Sequence, residues 1–486
     1  MARSTTQRIA ANTVYLFVSQ LLTWGMSLAV AIILPRYFGA AGIGSYHLAA
    51  SLWNLTAMLV GFGTDVVITR QIARDESQTS ALVGVGVLLR VLFHLIGFSI
   101  LAVFVNISGY SAETVQIVYI FGAANLIYQV GHIFSAALYG LERMGRLSIV
   151  DIVTELVSVG GILILVFAKQ SITAVALVSI LAGSTRTLLL FVLLRQSYPL
   201  TFQIPFHLVR WLLRESVSIL GNRLIRTVYA QADVIVISLF VNETVVGWYS
   251  VADVAFSSLL FVPNIIGTAL FPAFARYFKE DQAQLTVIAR QAFRRLLLVI
   301  LPIGLGTAVI ATPLVVLIVG EEFTPSGPVL SGFGIVAVFT AINIFLAQLL
   351  IAMGRQNRLT LLMTIGIIIT IPIDLFLIPW TQANWGNGAI GGVIAYFFTE
   401  SFIAVGSFIS LPKDFWDAET RHYALKAVLA ALVMTAVVLP FRHFLLFFPI
   451  LVGGATYSTM VFLLRLVSWD DIEFVRNLIR RKGHLS

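Results

Sequence analysis

The chain has 486 residues, of which 59 % are hydrophobic and 11 % charged, against about 25 % charged residues in an ordinary soluble domain. So few charges cannot cover a soluble surface, which excludes a cytosolic multidomain enzyme and a disordered chain and leaves a protein with most of its mass in a bilayer. The 31 Lys and Arg exceed the 23 Asp and Glu, for a net charge of +8. They cluster in short loops between apolar runs, so the excess reports membrane topology and not nucleic-acid binding.

A spanning helix needs about 20 mostly apolar residues. Fourteen stretches qualify, at roughly 12–34, 45–67, 80–104, 113–137, 148–168, 172–194, 215–240, 245–274, 291–318, 329–353, 358–380, 388–411, 424–440 and 443–465. No stretch alternates with period 2 long enough for a barrel. The predicted class is an all-α polytopic membrane protein. Arg3 and Arg8 precede the first span, but it is too long for a signal-peptide apolar region and is read as mature structure.

Orientation follows from Lys and Arg. With the N-terminus in the cytoplasm, only Arg36, Lys169 and Arg442 fall in outside segments. Arg90, Arg186, Arg223 and Arg226 fall within spans, and the rest of the 31 lie on the inside. Both termini are expected in the cytoplasm, with the chain in the cell inner (cytoplasmic) membrane.

The sequence repeats weakly. Gly44-Ser45-Tyr46 opens the second span and Gly247-Trp248-Tyr249 the eighth; Met144-Gly145-Arg146 precedes the fifth and Met353-Gly354-Arg355 the eleventh. The matches fall at equivalent places in two six-span units of the same orientation, as in a parallel repeat around an axis along the membrane normal. The expected organisation is an N-lobe at 1–194, a cytoplasmic interfacial linker at 195–214, a C-lobe at 215–411, two added spans in 412–465 and a cytoplasmic amphipathic tail at 466–486. In the tail, Ser468 and Asp471 resemble a capping box. Two parallel bundles around a central cavity suit alternating access.

Familiar catalytic chemistry is missing. No Lys follows a Gly, so there is no Walker A loop, and there is no HExxH or paired-His spacing. Gly84-Val85-Gly86 lies inside a span and lacks the strand–turn–helix setting of a dinucleotide site. With no cysteine, disulfides, thiolate metal sites and a Cys nucleophile are also excluded. No enzymatic activity, cofactor or metal is expected, and a transporter becomes the default.

Ionisable groups at bilayer depth cost about 2.5–3.5 kcal/mol each on insertion scales and usually face a wet cavity or a partner. Arg90 is central in the third span, with His94 one turn on. Arg186 lies in the sixth span, and Arg223 and Arg226 are three apart on the seventh. A cationic cavity built from these arginines suits the oxygens of a pyrophosphate. The competing readings are snorkelling or structural pairing for the arginines, and plain packing for His94. The embedded acids are Asp65, Asp151, Glu155, Asp233, Asp253, Asp374 and Glu400. Asp151 and Glu155 are candidates to pair with Arg143, Arg146 or Arg186. Asp233 and Asp253 either carry a coupling H⁺ or Na⁺ or balance Arg223 and Arg226. Asp374, between Pro372 and Pro379, is expected in a kinked helix near the outer interface.

Several segments resemble the O-antigen type of polysaccharide flippase, in the multidrug/oligosaccharidyl-lipid/polysaccharide exporter superfamily. They are "LPRYFGAAGIGSYHLA" (34–49), "YGLERMGRLS" (139–148), "QADVIVISLFVNETVVGWYSVADV" (231–254), "FPAFARYF" (271–278), "IVGEEFTPSGPVL" (318–330), "AMGRQNRLT" (352–360) and "IDLFLIP" (373–379). Each is loose, but their order and spacing cover about 400 residues. In the last of them Asp374 stands where the family usually has an Asn-like residue. The resemblance implies two six-helix lobes, often with two added helices. It also implies ion-gradient-driven export of a polyprenyl-pyrophosphate-linked oligosaccharide from inner to outer leaflet through a cationic cavity. The implied partners are that substrate, membrane lipids, H⁺ or Na⁺, and polysaccharide polymerase or assembly proteins. The alternative is a cation-coupled drug or metabolite antiporter of the same superfamily, typically with twelve helices and often with an acid in the first span. Here that span has none. A non-transport scaffold of a polysaccharide assembly complex is a third reading.

Overall fold

The computed structural model describes residues 5–200, 204–442 and 444–467. The segment carrying Ser468 and Asp471 lies outside the described residues. Among the described residues all regular structure is helical, as a chain must be whose backbone crosses hydrocarbon without closing a barrel.

Among the described residues helices cover most of every predicted span. Helix α1 (Thr5–Gly61) carries the first two, on either side of a break at Gly39, four residues after Pro35. A short helix follows, α2 (Thr64–Arg74), then α3 (Thr79–Ile107), α4 (Ala112–Gly140), α5 (Met144–Phe167), α6 (Ile172–Ser197) and α7 (Phe206–Phe240). The eighth span is bent by 40° between α8 (Glu243–Leu259) and α9 (Phe261–Glu280). The rest are α10 (Gln282–Val319), α11 (Ser326–Ala352), α12 (Gln356–Trp385), α13 (Gly388–Ile409), α14 (Ala418–Val438) and α15 (Phe447–Leu463). Among the described residues ten helices are long and apolar enough to cross a membrane, or eleven with the bent pair. Three expected spans stand outside that count. The second shares α1 with the first, α7 is diluted by its own charges, and α15 has 17 residues.

Local chemistry sets the helix starts. Ser111 caps α4, Ser171 α6, Asp281 α10 and Asp417 α14, each accepting a hydrogen bond from the backbone N–H three residues on, which satisfies an otherwise orphaned donor. The expected linker 195–214 does not form a separate interfacial helix. Residues 195–197 end α6 and 206–214 open α7, so the amphipathic stretch is the first part of a 35-residue helix.

The chain divides into two units, Met1–Ser250 and Val251–Ser486. In the first, α4 packs along α6, α5 lies against α6 and α1, and α2 lies against α4 and α7. Its buried core includes Ile68, Ile72, Leu82, Val85, Ile133 and Leu190. In the second, α10 pairs with α11 and α12 with α13, around a core that includes Phe274, Phe293, Ile300, Phe345 and Leu349. Large apolar side chains also remain exposed, among them Leu95, Ile100, Val103 and Ile107 along α3. In water this would be an adhesive stripe; against lipid tails it costs nothing.

One close approach in the first unit depends on glycine. A Cβ on Gly44 of α1 would overlap the Glu243 carbonyl, and one on Gly247 of α8 would overlap the Ala40 carbonyl. These are the residues that mark the repeat in the sequence, and each lies against the other's segment.

Candidate anion-binding site

The sequence that positions the site is Gly61-Phe62-Gly63-Thr64-Asp65. Phe62 and Gly63 both take positive φ, 48° and 73°, which ends α1 and re-aims the chain into α2. Thr64 Oγ1 then hydrogen-bonds the Gly61 carbonyl at 3.0 Å. Asp65 thus comes to lie in the first turn of an eleven-residue helix packed against α7.

There its carboxylate meets two guanidinium groups. Arg223 of α7 donates through both ends of its fork, Nη1 to Oδ1 at 2.9 Å and Nη2 to Oδ2 at 3.0 Å. Arg90 Nη2 of α3 lies 3.7 Å from Oδ1. Arg90 Nη1 donates to Gln129 Oε1 at 2.7 Å, and Gln129 Nε2 donates to the Ala57 carbonyl at 2.8 Å. Gly61 makes room for this: a Cβ there would sit 2.7 Å from Arg90 Nη1. Access is graded. The Arg90 side chain is 3 % exposed, Asp65 29 % and Arg223 41 %. A second ion pair of opposite polarity joins the same helices, Arg70 of α2 to Glu215 of α7 at 2.8 Å.

The four predicted arginines therefore have different settings. Arg90 and Arg223 come together on Asp65. Arg226 is exposed and has no ion-pair partner among the described residues. Arg186 pairs with Asp151 at 3.1 Å, one of the pairings open from the sequence, while Glu155 accepts from Ser27 Oγ at 2.6 Å. His94 is buried and stacked on Trp53, 5.2 Å between ring centroids.

The acids expected to balance Arg223 do not include the one that does. Asp233, towards the C-terminal end of α7, accepts a hydrogen bond from the Tyr249 hydroxyl, and Asp253 lies half-buried on α8. Asp374, expected at an interface, is fully enclosed by protein. Glu400 accepts from Asn343 Nδ2 at 2.7 Å in the second unit. Sequence reasoning counted Asp65 among the embedded acids without a partner, and missed Gln129 altogether. The Gly-x-Gly-Thr-Asp signature is a helix stop followed by a helix start, and would have separated α2 from the span before it.

At the other end of α7 a polar network closes the first unit. Glu243 Oε1 accepts from the Ser111 N–H at 3.1 Å and from Thr114 Oγ1 at 3.3 Å. Thr114 Oγ1 also bonds Ser45 Oγ at 2.9 Å, and the Tyr110 and Ser238 hydroxyls are 2.9 Å apart.

Apolar helices long enough to cross a membrane, around a charged, partly open cluster, define a multi-pass membrane protein. Its backbone superposes on "Lipid II flippase MurJ, inward closed conformation" with a TM-score of 0.73, at 14 % identity, over 97 % of this chain and 100 % of that one. An inward-facing multidrug resistance MATE family transporter of the MOP superfamily gives 0.64 at 13 % identity, over 79 % and 93 %. The chain belongs to the polysaccharide biosynthesis protein family, whose sequence profile matches residues 9–278. It is also similar to the "Probable low-salt glycan biosynthesis flippase Agl15" of Haloferax volcanii, at 22 % identity over 375 residues, covering 76 % of this chain and 78 % of that protein.

Proposed function

We propose that the protein is a flippase that moves a polyprenyl-pyrophosphate-linked oligosaccharide from the inner to the outer leaflet by alternating access, driven by an ion gradient. The observation that carries this reading is the cluster of Arg223, Asp65 and Arg90 beside exposed Arg226. Paired guanidinium forks in a partly dry setting match the oxygens of a pyrophosphate, and a group so costly to insert is kept for a function. Family membership and the similarity to a glycan flippase support the substrate class. Arg223 and Arg226 would bind the head group, Arg90 would hold the cluster from behind, and Arg186, held by Asp151, would offer its remaining guanidinium donors further along. Sugars would stay in the wet part of the path while the polyprenyl tail remains in lipid.

Asp233 with Tyr249, and Asp253 further along α8, are the proposed sites for the coupling H⁺ or Na⁺. In this reading both termini lie in the cytoplasm and the chain lies in the cytoplasmic membrane.

The test is transport in proteoliposomes containing the purified protein. Labelled polyprenyl-pyrophosphate oligosaccharide should change leaflets, faster under an imposed H⁺ or Na⁺ gradient, while cationic drugs should not be exported. Drug export without lipid translocation would establish the antiporter instead.

A further inference from the structure

We infer that Asp65 is the resident occupant of the phosphate site, a carboxylate that holds Arg223 and Arg90 in the empty protein and is displaced when the substrate's phosphate arrives. The inference rests on the proposed pyrophosphate site and assigns that site a part of its own chain as competitor.

The geometry supplies three reasons. First, the end of the Arg223 fork is filled: both Nη atoms already donate to the two Asp65 oxygens. A phosphate seeking the same bidentate contact must replace the carboxylate, since two anions on one fork repel at close range. Second, the exposures favour exchange at Arg223 and not at Arg90. A ligand from water reaches Arg223, at 41 % exposed, and Asp65, at 29 %, whereas Arg90 is sealed at 3 %. Third, a displaced carboxylate has somewhere to go. A cleft of about 370 Å³ opens beside it, lined by Asp65, Thr69, Arg70, His132, Ser135 and Tyr139 among others. The Ser135 hydroxyl there is buried and has no hydrogen-bond partner among the described residues. It gives the carboxylate a donor in its second position, with Arg70, paired to Glu215, at the edge of the same cleft.

The arrangement makes release as well as capture part of the site. A pair of arginines without a competing anion would hold pyrophosphate tightly and let it go slowly. With Asp65 ready to return, the outgoing head group is replaced by an internal carboxylate and the buried guanidinium of Arg90 keeps its counter-charge. Asp65 is thus a positioning residue that acts through Arg223 and Arg90.

Calorimetric titration of inorganic pyrophosphate into the detergent-purified full chain tests this, comparing wild type, Asp65→Asn and Asp65→Asn with Arg223→Ala. Asp65→Asn keeps the shape and removes the competing charge, so its affinity should rise about tenfold or more; the added Arg223→Ala should abolish the gain. In transport, Asp65→Asn should lower KM and kcat together, because capture improves while release slows. Unchanged, weaker or absent pyrophosphate binding by folded Asp65→Asn would overturn the inference. If that variant does not fold, the comparison moves to Asp65→Asn with Arg90→Gln, which also removes the buried charge, and the same two outcomes apply. The titration involves neither sugar nor lipid. A gain in affinity without translocation of any lipid carrier would defeat the flippase reading and leave the competition standing; translocation without the gain would do the reverse.

Discussion

Arg90 shows how a single buried charge is made tolerable. Its guanidinium is closed off from solvent, with one Nη on Gln129 Oε1 and the other 3.7 Å from Asp65. Leaving a buried donor or acceptor unmade costs about 1–3 kcal/mol, and more for a charged group. Gln129→Leu would leave Arg90 Nη1 without its acceptor and take from the Ala57 carbonyl its second, side-chain donor. It should therefore destabilise by roughly 2–4 kcal/mol on that scale, read as a lower melting temperature in detergent; an unchanged melting temperature would show that the Gln129 bridge is dispensable. None of this was visible in a linear reading. The arginines stand out because charges are rare in apolar runs, but Asp65 and Arg223 are 158 residues apart in the chain. Only the turn at Phe62 and Gly63 brings them together, while Asp233, nearer in sequence, is taken by Tyr249.

Among the elements, the helices were legible and their breaks less so. Hydropathy identifies each span, because a segment of about 20 apolar residues in lipid has few conformations other than helix. It does not register that α2 is a separate helix, or that the linker's amphipathic stretch continues into α7. The repeat-marking glycines acquire a physical reason in the fold, since any side chain at Gly247 would run into the Ala40 carbonyl. Gly247→Ala should force α1 and α8 apart at a cost of about 1–3 kcal/mol, as overpacking does, and should sharply reduce transport at normal expression. Full activity in that variant would mean the approach is not needed. On α14 the prediction is a pH dependence. Partial burial opposes ionisation of Asp417, but hydrogen bonds from the Thr420 hydroxyl and amide, together with Arg290 and Arg294, hold its carboxyl below the ordinary range. A depressed folded value contributes stability above the unfolded value of about 3.9 and loses it as pH falls through the folded one. Asp417→Ala, removing the cap, should cost about 1 kcal/mol at pH 7. The gap in melting temperature from wild type should narrow below about pH 4; a gap that is constant with pH would contradict the assignment.

For the molecule as a whole, charge asymmetry predicts the orientation: most Lys and Arg sit in segments assigned to one side, as the positive-inside rule leads one to expect. The absence of cysteine makes the topology directly testable. A single cysteine at exposed Lys169, between α5 and α6, should react with an impermeant maleimide on intact cells. One at Arg143, between α4 and α5, should react only after permeabilisation; the opposite pattern would invert the topology. The transport reading depends on the arginines of α7. The most direct measurement is translocation of labelled polyprenyl-pyrophosphate oligosaccharide in proteoliposomes, comparing wild type with folded Arg223→Ala plus Arg226→Ala and with the corresponding double Lys variant. We predict movement by wild type, little by the Lys variant, which keeps charge but loses the bidentate fork, and none by the Ala variant. Equal movement by all three would contradict a cationic pyrophosphate site in this protein.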